Sequence, residues 1–380
     1  MPNERAAAPL AQLSLLVCAE GEQNLMLKEF YAGARIAVTG AAGTVGSELV
    51  RQLLDLPVAE VRALDNNENG LFFLEQAHRG EPRMHAFLCD VRELNKLERM
   101  MHGMDYVFHA AALKHVPLCE RSPTEAVRTN ILGVENVIRA AIGTGVRKVL
   151  FTSSDKAVNP TNVMGTSKLM GERLITAANS LTQAEHGPMF SSTRFGNVAG
   201  SAGSVVPLFC HQIASGRSVT LTHRDMTRFL MTLHESVRLV LESMTLSRGG
   251  EVFVTKMPVA RIEDIARALV DVVAPAYGRD PQSVTIEEVG PRPGEKMYEE
   301  LVSDEEVRRT FEIGDLFTVL PAFRNIYDNI NFEYAGFEMK AIDRVYNSQA
   351  ETPMSLAEVS DFLKLPGVLP SEARQRLQLD

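Results

Sequence analysis

Residues 34–46 read ARIAVTGAAGTVG, and SELVRQLL follows at 47–54. Ala34 to Thr39 is a short apolar run of the kind that fills a buried strand, and it stops at a glycine. Val45, Leu49, Leu53 and Leu54 then fall on one face of a helix. Gly40 permits a tight reversal, Gly43 lets backbone N–H groups approach an anion, and Gly46 lets the helix sit close to the strand, with Thr44 and Val45 in its first turn. A helix start aimed at that reversal offers unpaired N–H groups to a pyrophosphate. The next apolar run, Val61 to Leu64, ends at Asp65. A carboxylate there accepts hydrogen bonds from a free ribose 2′-hydroxyl and repels a 2′-phosphate. Asn66, Asn67 and Glu68 follow without an arginine. The stretch predicts a dinucleotide site, with NAD preferred over NADP.

The same rhythm continues outward. Arg83 to Leu88 leads to Asp90-Val91, Tyr106 to Phe108 leads to His109-Ala110-Ala111-Ala112, and Lys148 to Thr152 leads to Ser153-Ser154-Asp155. Asp90 and Val91 are expected beside the adenine, and Ala110, Ala111 and Ala112 under the cofactor. Asn130, counted with the cofactor residues, begins a long helical run to Thr144. Strands alternating with helices predict an α/β chain with a doubly wound parallel sheet. After about residue 190 glycines, serines and charged turns thicken, as in GNVAGSAGS at 196–204, which predicts a smaller lobe over the strand ends. The expected division is an N-terminal arm (1–32), a dinucleotide domain (33–200), a substrate lobe (201–345) with segments returning to the first domain, and a C-terminal helical tail (346–380). The tail is expected to carry helices at Leu356–Leu365 and Glu372–Leu377, in a position suited to an oligomer contact.

Composition narrows the function class. The 380 residues carry a formal net charge of -9 with no basic block to offset it, which argues against nucleic acid as a partner. Cys18, Cys89, Cys119 and Cys210 show no metal-ligand spacing, so a reduced, cytoplasmic protein without a metal is expected. The apolar stretch Ala6–Ala19 is too short to cross a bilayer and is interrupted by Gln12 and Ser14. It is expected to pack as an arm, with no membrane insertion.

The chemistry gathers in Thr152 to Glu172, TSSDKAVNPTNVMGTSKLMGE. Asp155 and Lys156 stand where a strand ends, which is where open α/β sheets hold their ligands. An acid and an amine side by side form an acid/base couple, each tuned by the other. Lys168 lies four residues after Met164, whose thioether exchanges no proton.

The chain resembles the extended branch of the short-chain dehydrogenase/reductase family, with its Rossmann fold, from about residue 34 to about 345. In that family a tyrosine four residues before a lysine is the acid/base, and Met164 occupies the tyrosine's place. Five blocks make the resemblance narrower: Asp155–Asn162 with Met164, Gly165 and Lys168; Ala111–Pro117; Arg194–Val198; Met226–Phe229; and Arg292–Lys296. These look like the nucleotide-sugar 4,6-dehydratases of bacterial polysaccharide biosynthesis that act on UDP-N-acetylglucosamine, in their short form. Ala202 stands where an arginine is common in that group.

The resemblance implies a 4-keto intermediate made by NAD, a neutral Lys156 removing the C5 proton, and a protonated Asp155 donating to the departing 6-hydroxyl. The 4-hydroxyl proton would leave through Asp155, Ser153 or Ser154, and Lys168 would anchor the nicotinamide ribose. The product would be a UDP-2-acetamido-2,6-dideoxy-4-hexulose, with C5 retained. Arg194, Arg228, Arg292 and Lys296 are the cations expected at the diphosphate; Asn197 and Val198 are expected to contact substrate hydroxyl or phosphate oxygens, and Lys114 to contact substrate on the nicotinamide side. A homo-oligomer is expected. The rival readings are a UDP-hexose 4-epimerase, which has no use for Asp155-Lys156, and a non-catalytic NAD-binding protein.

Overall fold

The computed structural model describes residues 24–182, 187–291, 294–323, 330–334 and 336–379. Six strands, β1 (Arg35–Thr39), β2 (Glu60–Asp65), β3 (Met84–Leu88), β4 (Tyr106–His109), β5 (Lys148–Ser154) and β6 (Met189–Phe195), lie parallel in the order β3-β2-β1-β4-β5-β6. Val252–Thr255 adds in parallel to β6. Leu316–Val319, Thr310–Ile313 and Lys340–Ala341 extend the edge antiparallel. The chain order reverses between β1 and β4, and the crevice at their carboxyl ends is the ligand position of such sheets.

Side-chain alternation builds a core on each face of this sheet. Ile36, Val38, Phe108 and Leu150 point to one face and meet Leu49, Val50 and Leu53 of the helix Thr44–Leu54, with Val240 and Met244 of Leu233–Leu246. Ala37, Val107, Val149 and Phe151 point the other way, toward Leu97, Val137, Ala141 and Ile175. Each fully buried aliphatic side chain of this kind contributes about 1.5–3 kcal/mol. The run begun at Asn130 is helical to Thr144, but its first part belongs to a π-turn, Val127–Leu132, which rotates Asn130 inward.

The lobe has its own core. Phe209 and Ile213 of Val205–Ala214, and Ile265 and Leu269 of Ile262–Val273, pack with Val359, Phe362, Val368 and Ala373. The last segment forms the helices Leu356–Leu363 and Ser371–Leu377, and their apolar sides pack into the lobe core. A three-stranded sheet of Asn197–Val198, Thr227–Met231 and Val259–Arg261 joins lobe to domain. No helix among the described residues is long and apolar enough to cross a membrane.

Candidate active site

Two openings meet above the strand ends. The larger, about 650 Å³, runs over Gly40, Gly43, Asp65, Asp90, Val91 and the stretch Ala110–Lys114. Its floor explains the glycines: Gly40 adopts φ +69, and a Cβ there would lie 2.5 Å from the Ala111 nitrogen. A Cβ on Gly46 would sit 2.0 Å from the Gly40 carbonyl oxygen. Gly43 caps the helix whose first turn holds Thr44, Val45 and Gly46, leaving its N–H groups facing the cleft. Asp65 is held by the N–H groups of Ala42 and Asn67, each 2.9 Å from a carboxylate oxygen, and keeps further lone pairs for a ribose. The size and donor set of this cleft fit a dinucleotide.

Two residues expected at the cofactor also have partners within the protein. Asn130 is buried and fully used: its oxygen accepts from the Leu113 N–H at 2.8 Å, and its amide donates to the Leu113 carbonyl and Ser167 Oγ, both at 2.9 Å. It therefore fixes the Leu113 end of the Ala110–Leu113 floor. Asp90 is engaged by Arg92, whose Nη2 lies 2.5 Å from Oδ2. Arg92 lines the same cleft and was missed because it follows the third strand, away from the Asp65 neighbourhood. Lys168 is buried, donates to the Thr152 carbonyl at 2.8 Å and lies over the Phe151 ring. Burial draws its ammonium down to about 8, with Glu172 opposing.

The smaller opening is lined by Asp155, Lys156, Asn162, Asn197, Arg228, Lys296 and Glu299. Its central turn is dictated locally. Strand β5 ends at Ser154, whose Oγ accepts from the Lys156 N–H and starts the short turn Asp155–Ala157. Asn162 then caps the helix Val163–Ala178 by accepting from the Gly165 N–H at 2.8 Å. A Cβ on Gly165 would lie 2.2 Å from the Lys156 carbonyl oxygen, so the glycine lets this helix press onto the Asp155–Ala157 turn. Met164 is buried beside Cys119 and Ala126 in a small apolar cluster and has no part in proton chemistry.

Lys156 Nζ stands 3.0 Å from Asp155 Oδ2, 3.1 Å from its Oδ1 and 3.3 Å from Glu299 Oε1. Ser154 Oγ donates to Asp155 at 2.5 Å. Arg228 Nε lies 3.2 Å from Glu299 Oε1, and Asn197 donates to Oε2 at 3.0 Å. Burial alone would favour a neutral Lys156, but Asp155 and then Glu299 outweigh it and hold the ammonium well above the usual lysine range. Asp155 is kept below the usual carboxylate range: burial opposes, but Lys156 and the hydrogen bonds of Glu299 and Ser154 prevail. Glu299 takes the strain of the cluster, pushed up to about 7 by burial and by Asp155. At rest the pair is therefore an ammonium beside a carboxylate, held first by Asp155 and Lys156 themselves and then by Glu299, and not yet in the neutral-amine and protonated-acid forms expected during the reaction.

Of the four expected diphosphate cations, Arg228 and Lys296 line the opening. Both also hold its walls: Arg228 donates to the Lys296 carbonyl at 2.9 Å, and Lys296 Nζ to the Val158 carbonyl at 2.9 Å. Arg292 lies outside the described residues. Arg194 is not at the cleft. It is 1% exposed and forks onto Glu172 and Glu306 at 2.7–2.9 Å, with the Leu301 carbonyl as a further acceptor, tying a domain helix to the lobe. Val198 pairs with Met231 in the joining sheet, and Lys114, which lines the larger opening, donates to the Ala202 carbonyl at 3.0 Å. Glu299 was missed, since MYEEL at 297–301 reads locally as a charged surface strand.

The Arg194 network carries a pH dependence. Burial opposes ionisation of Glu306, but Arg194 overrides it and lowers the group from 4.5 to about 2. A carboxylate depressed in the fold contributes stability that is complete above its ordinary value and lost as pH falls toward the folded one. Thermal melts should therefore show stability falling between about pH 4.5 and about pH 2, and Glu306→Gln should flatten that fall.

A family model described as polysaccharide biosynthesis protein matches residues 36–321. The chain belongs to the polysaccharide biosynthesis protein family. Among similar curated proteins of this kind, an uncharacterized membrane protein, MJ1061, of Methanocaldococcus jannaschii is 47% identical over 295 residues, covering 78% of this chain and 88% of the relative. A UDP-glucose 4-epimerase of Rickettsia canadensis is 37% identical over 337 residues, 86% of this chain and 94% of the relative. Among solved structures, Pen from Bacillus thuringiensis superposes with a TM-score of 0.80 at 37% identity, covering 88% of this chain and 98% of Pen. Structures under 25% identical that share the fold include several crystallised with NAD. The chain thus has the Rossmann-like α/β fold of the extended short-chain dehydrogenase/reductase kind that these structures share.

Proposed function

We propose that the chain is an NAD-dependent, cytoplasmic nucleotide-sugar 4,6-dehydratase that converts UDP-N-acetylglucosamine to UDP-2-acetamido-2,6-dideoxy-4-hexulose, with C5 retained. The observation that carries this reading is the Asp155–Lys156 pair at the end of β5, opening into the smaller cleft while Met164 is sealed in apolar packing. An epimerase needs one proton relay at O4. A dehydratase needs a base for C5 and an acid for O6 as well, and the pair supplies both.

Gly40, Gly43, Asp65 and the Ala110–Ala112 floor would hold NAD, with Lys168 beside its ribose. The chemistry NAD supplies when bound is removal of a hydride from C4 of the sugar and its return at C6. Asp155, ionised at rest, takes the 4-hydroxyl proton and so becomes the acid that protonates the departing 6-hydroxyl. Lys156 in its amine form takes the C5 proton and later returns it to the same face, which retains the configuration. Arg228 and Lys296 neutralise the diphosphate.

Incubating the protein with NAD and UDP-N-acetylglucosamine should give a product lighter by one water, with no lasting NADH absorbance. A product of unchanged mass would identify a UDP-hexose 4-epimerase, the reading favoured by the name of the Rickettsia relative. NAD binding without turnover of either sugar nucleotide would leave a non-catalytic protein.

A further inference from the structure

The scheme above leaves one proton without a destination. Lys156 rests as an ammonium between carboxylates, and an ammonium removes nothing from carbon. Asp155 is already committed to the proton of the 4-hydroxyl. The other acceptor touching Lys156 Nζ is Glu299 Oε1, 3.3 Å away. Its side chain is 6% exposed, fixed by Asn197 and Arg228 and by its own N–H donating to Ser348 Oγ at 2.9 Å. No part of the dehydratase reading otherwise needs a buried acid in that place.

We infer that Glu299 is the proton sink for Lys156, receiving its ammonium proton as the sugar is engaged and giving it back when the product is formed. It acts through Lys156, so it is a positioning residue, and the inference rests on the dehydratase reading. The protons balance. The ammonium of Lys156 passes one to the Glu299 carboxylate; the freed amine takes the C5 proton; Asp155 moves the 4-hydroxyl proton onto the leaving hydroxyl, which departs as water. Lys156 then reprotonates C5, and Glu299 restores the ammonium. Asp155, Lys156 and Glu299 end as they began.

The charged groups facing Glu299 are Asp155 and Lys156 on the turn and Arg228 on the joining sheet; Asn197 and Ser348 are neutral. Burial and Asp155 raise Glu299 to about 7 against the two cations. Below that pH the sink is already filled, so turnover should fall on the acid side with a midpoint near about 7.

The test is a pH–rate profile of the full chain with NAD and UDP-N-acetylglucosamine, with Glu299→Gln beside it. Glutamine keeps the shape and accepts no proton, so Lys156 must lose its own to solvent. Turnover at neutral pH should drop by about 10²-fold. The acid limb should move upward by two or more pH units, alkaline solution should restore most of the rate, and KM should change less than threefold. A merely structural glutamate would lower the rate at every pH without moving the limb, and that result, or an unmoved limb with normal rate, overturns the inference.

A second measurement needs no turnover. Acetic anhydride labels only the neutral amine, so the pH midpoint for acetylating Lys156, read by peptide mass, should fall by more than one unit in Glu299→Gln, because an anion beside it is gone. An unchanged midpoint would remove the coupling the inference requires. If labelling shifts while the wild-type chain dehydrates no UDP-sugar, the Lys156–Glu299 coupling stands and the dehydratase reading fails.

Discussion

Lys156→Ala is expected to cut dehydration by about 10²–10⁴-fold, the range a positioned acid/base group supplies, while NAD still binds. Binding should survive because Lys156 lines the smaller opening and the dinucleotide cleft is built from other strand ends. The alanine variant alone is ambiguous. Removing the ammonium leaves Asp155 and Glu299 as neighbouring carboxylates in a buried site, and one of them must take up a proton. The reduced rate could then reflect a rearranged acid pair and not a missing base. Lys156→Arg separates the two. It keeps the positive charge between the carboxylates, but a guanidinium is never deprotonated in a protein. Both variants should be inactive if a neutral amine is required. A Lys156→Arg variant with substantial turnover would show that the charge matters and the base is elsewhere.

The second large effect concerns stability. Arg194→Ala should destabilise the fold by about 3–5 kcal/mol, the cost of stranding buried partners of an ion pair. Two carboxylates, Glu172 and Glu306, would be left 3% and 5% exposed without their cation. The loss should reach the site as well, since the network fastens the lobe segment that carries Glu299 to the helix bearing Lys168. Neutralising all three together, with Arg194→Met, Glu172→Gln and Glu306→Gln, should recover much of the melting temperature, because no unpaired charge remains. A single Arg194→Ala variant that melts with the wild type but binds UDP-sugar weakly would instead return Arg194 to the diphosphate.

That contrast shows what the sequence could and could not disclose. Gly40, Gly46 and Asp65 were legible because their constraint is local: a strand, a turn and a helix lie within one short stretch, and each glycine answers to a contact made inside or beside it. The Asp155–Lys156 pair was legible for the same reason, as was the inertness of Met164. Arg194 was not. STRFG ends a strand just as a phosphate-binding arginine would, and its burial depends on Glu172 and Glu306, 22 and 112 positions away. Glu299 hides likewise, lying 143 positions from Lys156 and reading as surface charge until the lobe folds over the turn. The local pair already sets an ammonium beside a carboxylate, and what the fold adds is a second carboxylate facing the same amine.

The lobe's core is completed by Val359, Phe362, Val368 and Ala373. During synthesis the parallel sheet can assemble, and a dinucleotide can settle on it, while these residues are still inside the ribosome. Glu299 and Arg228 are held by each other, by Ser348 and by the Lys296 carbonyl, and Met226 and Leu230 beside Arg228 share the core that the last two helices complete. A nascent chain of this design thus has the whole dinucleotide cleft translated, Gly40 to Thr129, before the last wall of the smaller opening, Gly294 to Glu299.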